Sequence, residues 1–319
     1  PTTSVKIISQ PRTASRLRWR SLRPILWCLV GYLAVVFMFG FLQRSLIYIP
    51  TREATIEPRD AGLPRGQVHT ITVRAADRVT LHGWHVLADG RSAADRAACD
   101  RELAVGRPLI LYFSGNAGNR RFRPSEFGIL TSVGADVFIF DYRGYGDNSG
   151  SPSEELLARD ARAIWNYATQ ERAVGADRII LYGESLGGGV AVRLAAELSQ
   201  AGSAPAGLIV RSTFSSLVEA GKYHYPFLPV RLALVDRFDS VDRISDVKCP
   251  ILQLHGVRDD IMPIELGQRL FAAAPEKSSN GIPKQFVELE NAGHNDVTLV
   301  AENELREAIQ DFLGNLNRE

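Results

Sequence analysis

The feature that most constrains the fold is the segment 179–189, IILYGESLGGG, in which an apolar run ends in the pattern G-x-S-x-G. The apolar run predicts a buried strand, and the alanine-rich stretch that follows predicts a helix. A turn tight enough to join them places its serine in a backbone conformation that is costly for a residue with a Cβ. The flanking residues must then be small, and Gly183 and Gly187 are. The segment therefore predicts that Ser185 protrudes from the edge of a sheet.

The position of Ser185 favours a role as a catalytic nucleophile. The free N–H groups and the positive dipole end of the following helix face the place where an oxyanion would form, and the backbone N–H of Leu186 is one candidate donor. The alternative is a glycine-rich loop in which Ser185 is an ordinary helix N-cap. The strand before the pentapeptide and the helix after it favour the catalytic interpretation. That interpretation requires an acid and then a histidine further along the chain.

The N-terminal region predicts a membrane anchor. Residues 24–42 contain no charge, and at about 1.5 Å per residue these 19 residues approach the thickness of a hydrocarbon layer. A cleaved signal peptide and a buried core helix are the alternatives, but no small-residue cleavage pattern follows the run. Residues 1–23 carry a net charge of +6 and the remainder carries −5. This asymmetry predicts a signal anchor whose N-terminal side is cytoplasmic, with the following domain on the other side of the membrane.

Composition excludes several other classes of protein. With 319 residues, 45% of them apolar, the chain can bury one large core or two modest ones. The acidic body argues against nucleic-acid binding. The three cysteines, Cys28, Cys99 and Cys249, show no metal-ligand spacing and no disulfide framework, so we expect neither a metal nor a cofactor. The sequence specifies no oligomeric state.

The rest of the chain alternates strand and helix patterns, which predicts an α/β fold with a mostly parallel sheet. Residues 43–67, rich in proline and glycine, predict an irregular connector, and residues 68–319 predict the catalytic domain. Residues 88–106 predict an exposed excursion between two strands. The predicted strands are an antiparallel edge pair at 68–74 and 79–87, followed by buried strands at 108–113, 135–140, 179–183, 207–211, 250–255 and 285–289.

Three loops that follow predicted strands carry further candidate site residues. After 108–113, the backbone N–H of Asn116 in the loop SGNAGN is placed to be a second oxyanion donor. Asp259 and Asp260 follow the strand 250–255, and His294 follows the strand 285–289. Because the carboxyl ends of parallel strands meet at one edge of a sheet, we expect these residues near Ser185. The order Ser, Asp, His is the order required, and on this argument either aspartate is eligible.

Together these motifs resemble the α/β-hydrolases, and specifically the single-pass membrane-anchored α/β-hydrolase-domain serine hydrolases. The similarity extends over residues 43–318. Two positions depart from the family pattern: Ser114, where histidine is frequent, and Asn148, where serine is usual. The motifs that carry the resemblance are QRSLIYIP (43–50), GNAGN (115–119), DYRGYG (141–146), PSE (152–154), GESLGG (183–188), HGVRDDIMP (255–263) and GHN (293–295).

The resemblance implies roles for individual residues and a fold with helices on both faces of the sheet. Ser185 corresponds to the family's nucleophile, His294 to its base, and the N–H groups of Asn116 and Leu186 to its oxyanion hole. For the acid, the resemblance favours Asp259, because the family pattern has its acid three positions after the glycine of the HG pair.

The implied activity is that of a membrane-anchored serine hydrolase that cleaves carboxylic ester or thioester bonds through an acyl-enzyme. Residues 213–248, hereafter the lid, have an aromatic and apolar middle (YHYPFLPVRL, 223–232) interrupted by prolines, and we expect them to lie over Ser185. With the anchor, such a cover favours a lipid-like acyl substrate, whereas the alternative interpretation is that the lid only caps the core. A non-catalytic membrane-anchored binding protein of the same fold and a serine peptidase remain as alternative functions.

Overall fold

The structure, a computed structural model, describes residues 15–316. Residues 1–14, most of the predicted basic segment, lie outside the described residues, as do 317–319. The bounds of the elements are α1 Ser15–Ile47, β1 Ile49–Pro50, β2 Val68–Arg74, β3 Thr80–Val86, α2 Arg96–Ala104, β4 Leu109–Phe113, β5 Ala117–Gly118, α3 Pro124–Ser132, β6 Asp136–Phe140, α4 Glu154–Asn166, β7 Ile179–Glu184, α5 Leu186–Gln200, β8 Gly207–Arg211, α6 Leu217–His224, α7 Val230–Ala233, α8 Ser240–Ile244, β9 Ile251–Gly256, α9 Ile264–Ala273, β10 Gln285–Leu289, α10 Val297–Val300 and α11 Glu302–Leu316.

An eight-stranded sheet has the order β10-β9-β8-β7-β4-β6-β3-β2. The six strands from β10 to β6 run parallel, and β3 pairs antiparallel with both β6 and β2. Alternate residues of β4 face two separate cores: Leu109 and Leu111 pack with residues of α4 and α5, while Ile110 and Tyr112 pack with residues of α3 and α11. This alternation follows from the two-residue period of a strand that is buried on both faces. The carboxyl ends of β4, β7, β9 and β10 therefore meet at one edge.

Two segments are more ordered than their sequences predict. The predicted excursion 88–106 contains α2, because Asp95 caps its start by accepting from Ala98 N at 2.8 Å, and its Cys99 and Leu103 are buried. The first residues of the predicted connector are helical, because α1 continues to Ile47. The following strand β1 then pairs in parallel with β5, in the loop after β4.

Helix α1 lies against the lid. Its segment Arg23–Ile47 is the one helix in the described part of the chain that is long and apolar enough to cross a membrane. The lid contains α6, α7 and α8, separated where Pro226 and Pro229 interrupt the helical pattern. Both α1 and the lid stand at the edge of the sheet at which β4 and β7 end.

Candidate active site

The turn at Ser185 has the strained geometry that its sequence predicts. Ser185 has φ 51° and ψ −115°, between the end of β7 and the start of α5. A Cβ at Gly187 would lie 2.0 Å from the carbonyl oxygen of Phe113, and one at Gly183 would lie 2.5 Å from the carbonyl oxygen of Gly187. Only glycine fits at these positions, because the strand, the turn and the helix approach one another backbone to backbone.

Neighbouring groups hold this backbone in place. The Ser185 N–H donates to the carbonyl of Arg211 at 2.9 Å, and the Thr213 hydroxyl donates to the carbonyl of Ser185 at 2.9 Å. Both partners come from the end of β8 and the residues just after it. The strained conformation of a non-glycine residue costs on the order of 1–3 kcal/mol and persists only where surrounding contacts fix it. These contacts meet that requirement.

The structure brings Ser185, His294 and Asp259 into one hydrogen-bonded chain. Ser185 Oγ lies 3.0 Å from His294 Nε2, and His294 Nδ1 lies 2.7 Å from Asp259 Oδ2. The other carboxylate oxygen of Asp259 accepts from the N–H groups of Ile261 and Met262 at 3.0 and 2.7 Å. Asp259 is buried and Asp260 is exposed. Of the two aspartates that the strand end makes eligible, the structure therefore places Asp259 against the imidazole.

His255 is a neighbour of this chain that sequence analysis did not single out. It is fully buried at the end of β9, with Nε2 2.7 Å from the carbonyl oxygen of Met262 and 3.6 Å from Asp259 Oδ2. Burial lowers its pKa, so the ring is neutral and Nε2–H donates to the carbonyl. His255 thereby fixes the loop that presents Asp259. In the sequence, the one indication of this role was that His255 lies four residues before Asp259 in the motif HGVRD.

Glu184, the residue before Ser185, is the centre of a charged cluster that the sequence does not reveal. The Tyr112 hydroxyl donates to its carboxylate, and the guanidinium groups of Arg211 and Arg123 lie 3.3 and 3.8 Å away. Burial on its own would raise the pKa of Glu184, but the two guanidinium groups outweigh burial and hold the pKa at about 2. A permanent negative charge is therefore fixed one residue from the serine.

The two predicted oxyanion donors line the same cavity as Ser185. Leu186 is the first residue of α5, so its N–H has no acceptor within the helix. Asn116 lies in the loop after β4; its carbonyl accepts from Ile49 N at 3.0 Å and from the Tyr145 hydroxyl at 2.8 Å. These bonds hold the loop while its backbone N–H donates to no group in the described part of the chain.

A mostly apolar cavity of about 230 Å³ opens from Ser185. One side is formed by α1, through Val36, Phe39 and Leu46, and the other by the lid, including Tyr225 and Leu228. Residues of the lid and Ser185 therefore line the same cavity. The contribution of α1 was not predicted, because the sequence of the apolar run does not indicate which side chains of the helix face the catalytic domain.

This arrangement can perform acyl transfer. A hydroxyl bonded to an imidazole, which is bonded to a buried carboxylate, is suited to attack a carbonyl carbon. Two N–H groups beside the serine can stabilise the oxyanion that forms. Within residues 15–316, no three His, Cys, Asp or Glu side chains are grouped so that they could hold a metal ion.

Comparison with known sequences identifies relatives along most of the chain. A profile described as the alpha/beta hydrolase fold matches residues 108–204, which include the turn at Ser185. An uncharacterized protein of Mycobacterium tuberculosis is 38% identical over 279 residues, which cover 88% of this chain and 90% of the relative. The lysophosphatidylserine lipase ABHD12 of Danio rerio is 30% identical over 326 residues, which cover 93% of this chain and 84% of the relative.

Solved structures share the architecture at lower identity. The esterase Pf2001 of Pyrococcus furiosus has a TM-score of 0.60 at 18% identity, with 84% of this chain and 98% of that chain covered. An alpha-beta hydrolase from Vibrio vulnificus also has a TM-score of 0.60, at 19% identity, with 84% and 96% covered. At these identities the likeness concerns the fold alone. It confirms the predicted fold, a mostly parallel sheet with helices on both faces.

Proposed function

Since the chain belongs to the ABHD-type α/β-hydrolases and is a serine hydrolase acting on esters, we propose that it releases fatty acids from membrane lipid esters. In this proposal Ser185 is the nucleophile, His294 the general base and Asp259 the acid that orients the imidazole. The observation that carries the proposal is the hydrogen-bonded chain of these three residues, in which Ser185 lines a mostly apolar cavity.

The reaction follows from the positions of the proton carriers. His294 Nε2 takes the proton of Ser185 Oγ as that oxygen bonds to the ester carbonyl carbon, and the imidazolium gives the proton to the leaving alkoxide as the C–O bond breaks. The Asn116 and Leu186 N–H groups donate to the tetrahedral oxyanion. Water then attacks the acyl-enzyme, giving one proton to His294, and Ser185 leaves with that proton. The products are a fatty acid and an alcohol.

The choice of substrate rests on two supports. Relatives along nearly the whole chain are lysophosphatidylserine lipases, which act on a lipid with a single acyl chain. The cavity above Ser185 is lined mainly by apolar side chains, which suits an acyl chain, and its lining within the described part of the chain includes no lysine or arginine for a charged headgroup. We therefore propose a lysophospholipid or similar single-chain ester, with the acyl chain in the cavity and the polar portion outside it.

Reaction with a fluorophosphonate probe tests the nucleophile. The wild-type chain should be labelled and Ser185→Ala should not, with turnover of p-nitrophenyl acetate lowered by roughly 10⁶-fold. Ser212→Ala is a matched control, because Ser212 is also buried at a strand end with positive φ (49°). Equal labelling of wild type and Ser185→Ala would exclude the assignment, and so would loss of labelling in Ser212→Ala alone.

Hydrolysis of a lysophospholipid tests the proposed lipid substrate. Release of oleate from 1-oleoyl lysophosphatidylserine by the full chain should depend on Ser185. A protein that is labelled by the probe and hydrolyses p-nitrophenyl acetate but releases no fatty acid from this or any other lysolipid would be a short-chain esterase, contrary to the proposal.

We further propose that α1 anchors the enzyme in a membrane and that residues 43–67 connect it to the catalytic domain at 68–319. The arginines that precede the apolar run, ending with Arg23, support a cytoplasmic N-terminal side. A protease added to intact spheroplasts of the expression host should then digest the catalytic domain. Protection of that domain until lysis would reverse the orientation.

A further inference from the structure

Helix α1 does more than lie near the catalytic domain, because its side chains form part of the cavity at Ser185. Val36, Phe39 and Leu46 line the cavity from one side of the helix. The ring of Phe39 packs against the ring of Tyr225 in the lid, with 5.7 Å between their centroids. On other sides of the helix, Phe37 is 75% exposed. The cavity is thus enclosed only when α1 and the lid are together.

Polar contacts fix the register of α1 against the lid. Gln43 is buried; its side-chain carbonyl accepts from Val235 N at 2.6 Å, and its amide donates to Ala233 O at 3.1 Å. At the next residue, Arg44 pairs with the buried carboxylate of Asp236 at 3.0 Å. A buried amide that is paired at both ends holds its neighbours closely, since moving it leaves polar groups without partners.

The position of the lid contacts along α1 indicates how deep in a membrane the lid would lie. The Tyr32 hydroxyl donates to the carbonyl of Phe227 at 2.9 Å. Before Tyr32, only residues 24–31 are uncharged, since Arg23 precedes them. Eight helical residues span about 12 Å, less than half of a hydrocarbon layer of about 30 Å. If α1 crosses a membrane, the part of the lid that packs beside Tyr32 must lie at the depth of the hydrocarbon.

The surface and backbone of the lid suit that environment. Phe227 is 66% exposed and Leu232 is 87% exposed, next to α1. Arg231 is the one charged residue in 223–234, and its long side chain can reach toward the headgroups. Pro226 and Pro229 carry no N–H group, and the carbonyl of Phe227 is satisfied by Tyr32. Few backbone groups at the tip of the lid are therefore left to be hydrated, which is the condition for non-helical backbone at membrane depth.

From these observations we propose that α1 is a wall of the acyl-binding site and that the lid lies within the hydrocarbon layer, so that the acyl chain of a membrane lipid enters sideways between them. Phe39 limits the length of chain that fits. This inference rests on the proposed hydrolysis at Ser185, and it adds that the anchor itself sets substrate specificity.

The first test compares chain-length profiles of the full-length protein in phosphatidylcholine nanodiscs. Phe39→Trp fills the cavity and should lower kcat/KM for p-nitrophenyl octanoate, relative to the acetate, by roughly tenfold or more. Phe39→Ala should move the optimum toward longer chains. Phe37→Ala and Phe37→Trp are matched controls on the same helix and should leave the profile unchanged. Fluorophosphonate labelling of each variant establishes that its active site is folded.

The second test separates lateral access from the chemistry. Leu232→Lys places a charge on the exposed face of the lid and should slow hydrolysis of 1-oleoyl lysophosphatidylserine in phosphatidylcholine vesicles by roughly tenfold or more, with acetate turnover unchanged. Val105→Lys, on an exposed apolar residue outside the lid and α1, is the control.

The outcomes distinguish this inference from the proposed function. If the wild-type protein is not labelled by the fluorophosphonate and does not hydrolyse p-nitrophenyl acetate, both the proposed function and this inference are wrong. Two results with an active wild type would overturn the inference and leave the proposed hydrolase function standing. One is the same chain-length profile in the Phe39 and Phe37 variants, and the other is the same hydrolysis rate in vesicles for Leu232→Lys and Val105→Lys.

Discussion

Two regions of the molecule meet at Ser185 and are built in opposite ways. The sheet edge that carries Ser185, Asp259 and His294 is mostly buried, and each of these residues lies in the turn or loop that follows a strand whose neighbours fix it. The layer formed by α1 and the lid has large exposed apolar residues and is joined by a few polar contacts. The first region has one arrangement that the sheet determines, whereas the second depends on two segments far apart in the chain.

This difference suits two different tasks. Transfer of a proton between Ser185 and His294 requires atoms that stay within hydrogen-bond distance, so rigidity favours catalysis. Admission of a lipid chain requires surfaces that separate and close again, and apolar contacts supplemented by few hydrogen bonds permit that. Changes at the sheet edge should therefore affect all substrates equally. Changes in the layer of α1 and the lid should affect long-chain substrates most.

The largest effect is expected from loss of the carboxylate that we propose as the acid. Asp259→Asn removes the charge that holds the imidazole in the reactive tautomer, so kcat should fall by about 10⁴-fold, or about 5.5 kcal/mol of transition-state stabilisation. The loss should be the same for acetyl and octanoyl esters, measured by initial rates. Asp260→Asn is the control and should retain activity, because Asp260 is exposed. The reverse result would assign the acid to Asp260.

The sheet edge is also the region that the sequence describes best. Strands β2, β8 and β10 have the predicted bounds, and the other predicted strands differ by one residue at one or both ends. The strands that are buried on both faces appear in the sequence as continuous apolar runs. The turn at Ser185 can be predicted because glycines are required within two residues of it. The order of strand ends predicts which three side chains meet, although it does not separate Asp259 from Asp260.

The second prediction concerns the charge beside Ser185. Glu184→Gln removes the carboxylate that faces both Arg211 and Arg123, which should cost about 3–5 kcal/mol of unfolding free energy at pH 7. Arg211 keeps one carboxylate partner, Glu126 at 3.3 Å. The folded-state pKa of Glu184, about 2, is below the ordinary value of 4.5, so its stabilising effect is present above pH 4.5 and is lost as pH falls toward 2. The difference between wild type and variant should therefore narrow over that range.

Denaturant titrations at pH 7 and pH 3 check this expectation. Glu307→Gln, on the exposed face of α11, is the control and should change stability little at either pH. A Glu184→Gln variant as stable as wild type at pH 7 would mean that the cluster does not hold the turn.

The third prediction tests how closely the turn is packed. Gly187→Ala directs a Cβ at the carbonyl of Phe113, 2.0 Å away, and should destabilise the fold by about 1–3 kcal/mol or more. Gly128→Ala, in α3, meets no atom within 4 Å and should stabilise by up to about 1 kcal/mol. Thermal unfolding of both variants gives the comparison. A Gly187→Ala protein as stable as wild type would show that the backbone at the turn can move apart.

The packing of α1 against the lid could not be predicted, for a physical reason. Gln43 bonds to residues about 190 positions away, and no periodicity marks such a pairing. In the sequence, Gln43 and Arg44 look like ordinary polar residues at the end of a membrane segment. Glu184 is hidden in a similar way, because it occupies the variable position of G-x-S-x-G and its partners come from β4, β8 and the start of α3.

The smallest effect is expected from a contact within the layer of α1 and the lid. The Tyr48 hydroxyl donates to Asp236 at 3.0 Å, and Arg44 supports the same carboxylate. Tyr48→Phe removes one of the two donors, so it should cost about 1 kcal/mol of stability, measured on the full chain in detergent. Tyr223→Phe, on an exposed ring in the lid, should cost nothing measurable.

Because Asp236 holds α1 to the lid and makes no contact with Ser185, Tyr48→Phe should lower octanoate turnover and leave acetate turnover unchanged. An equal loss on both esters would mean that this contact supports the sheet edge, and that the two regions are one rigid unit.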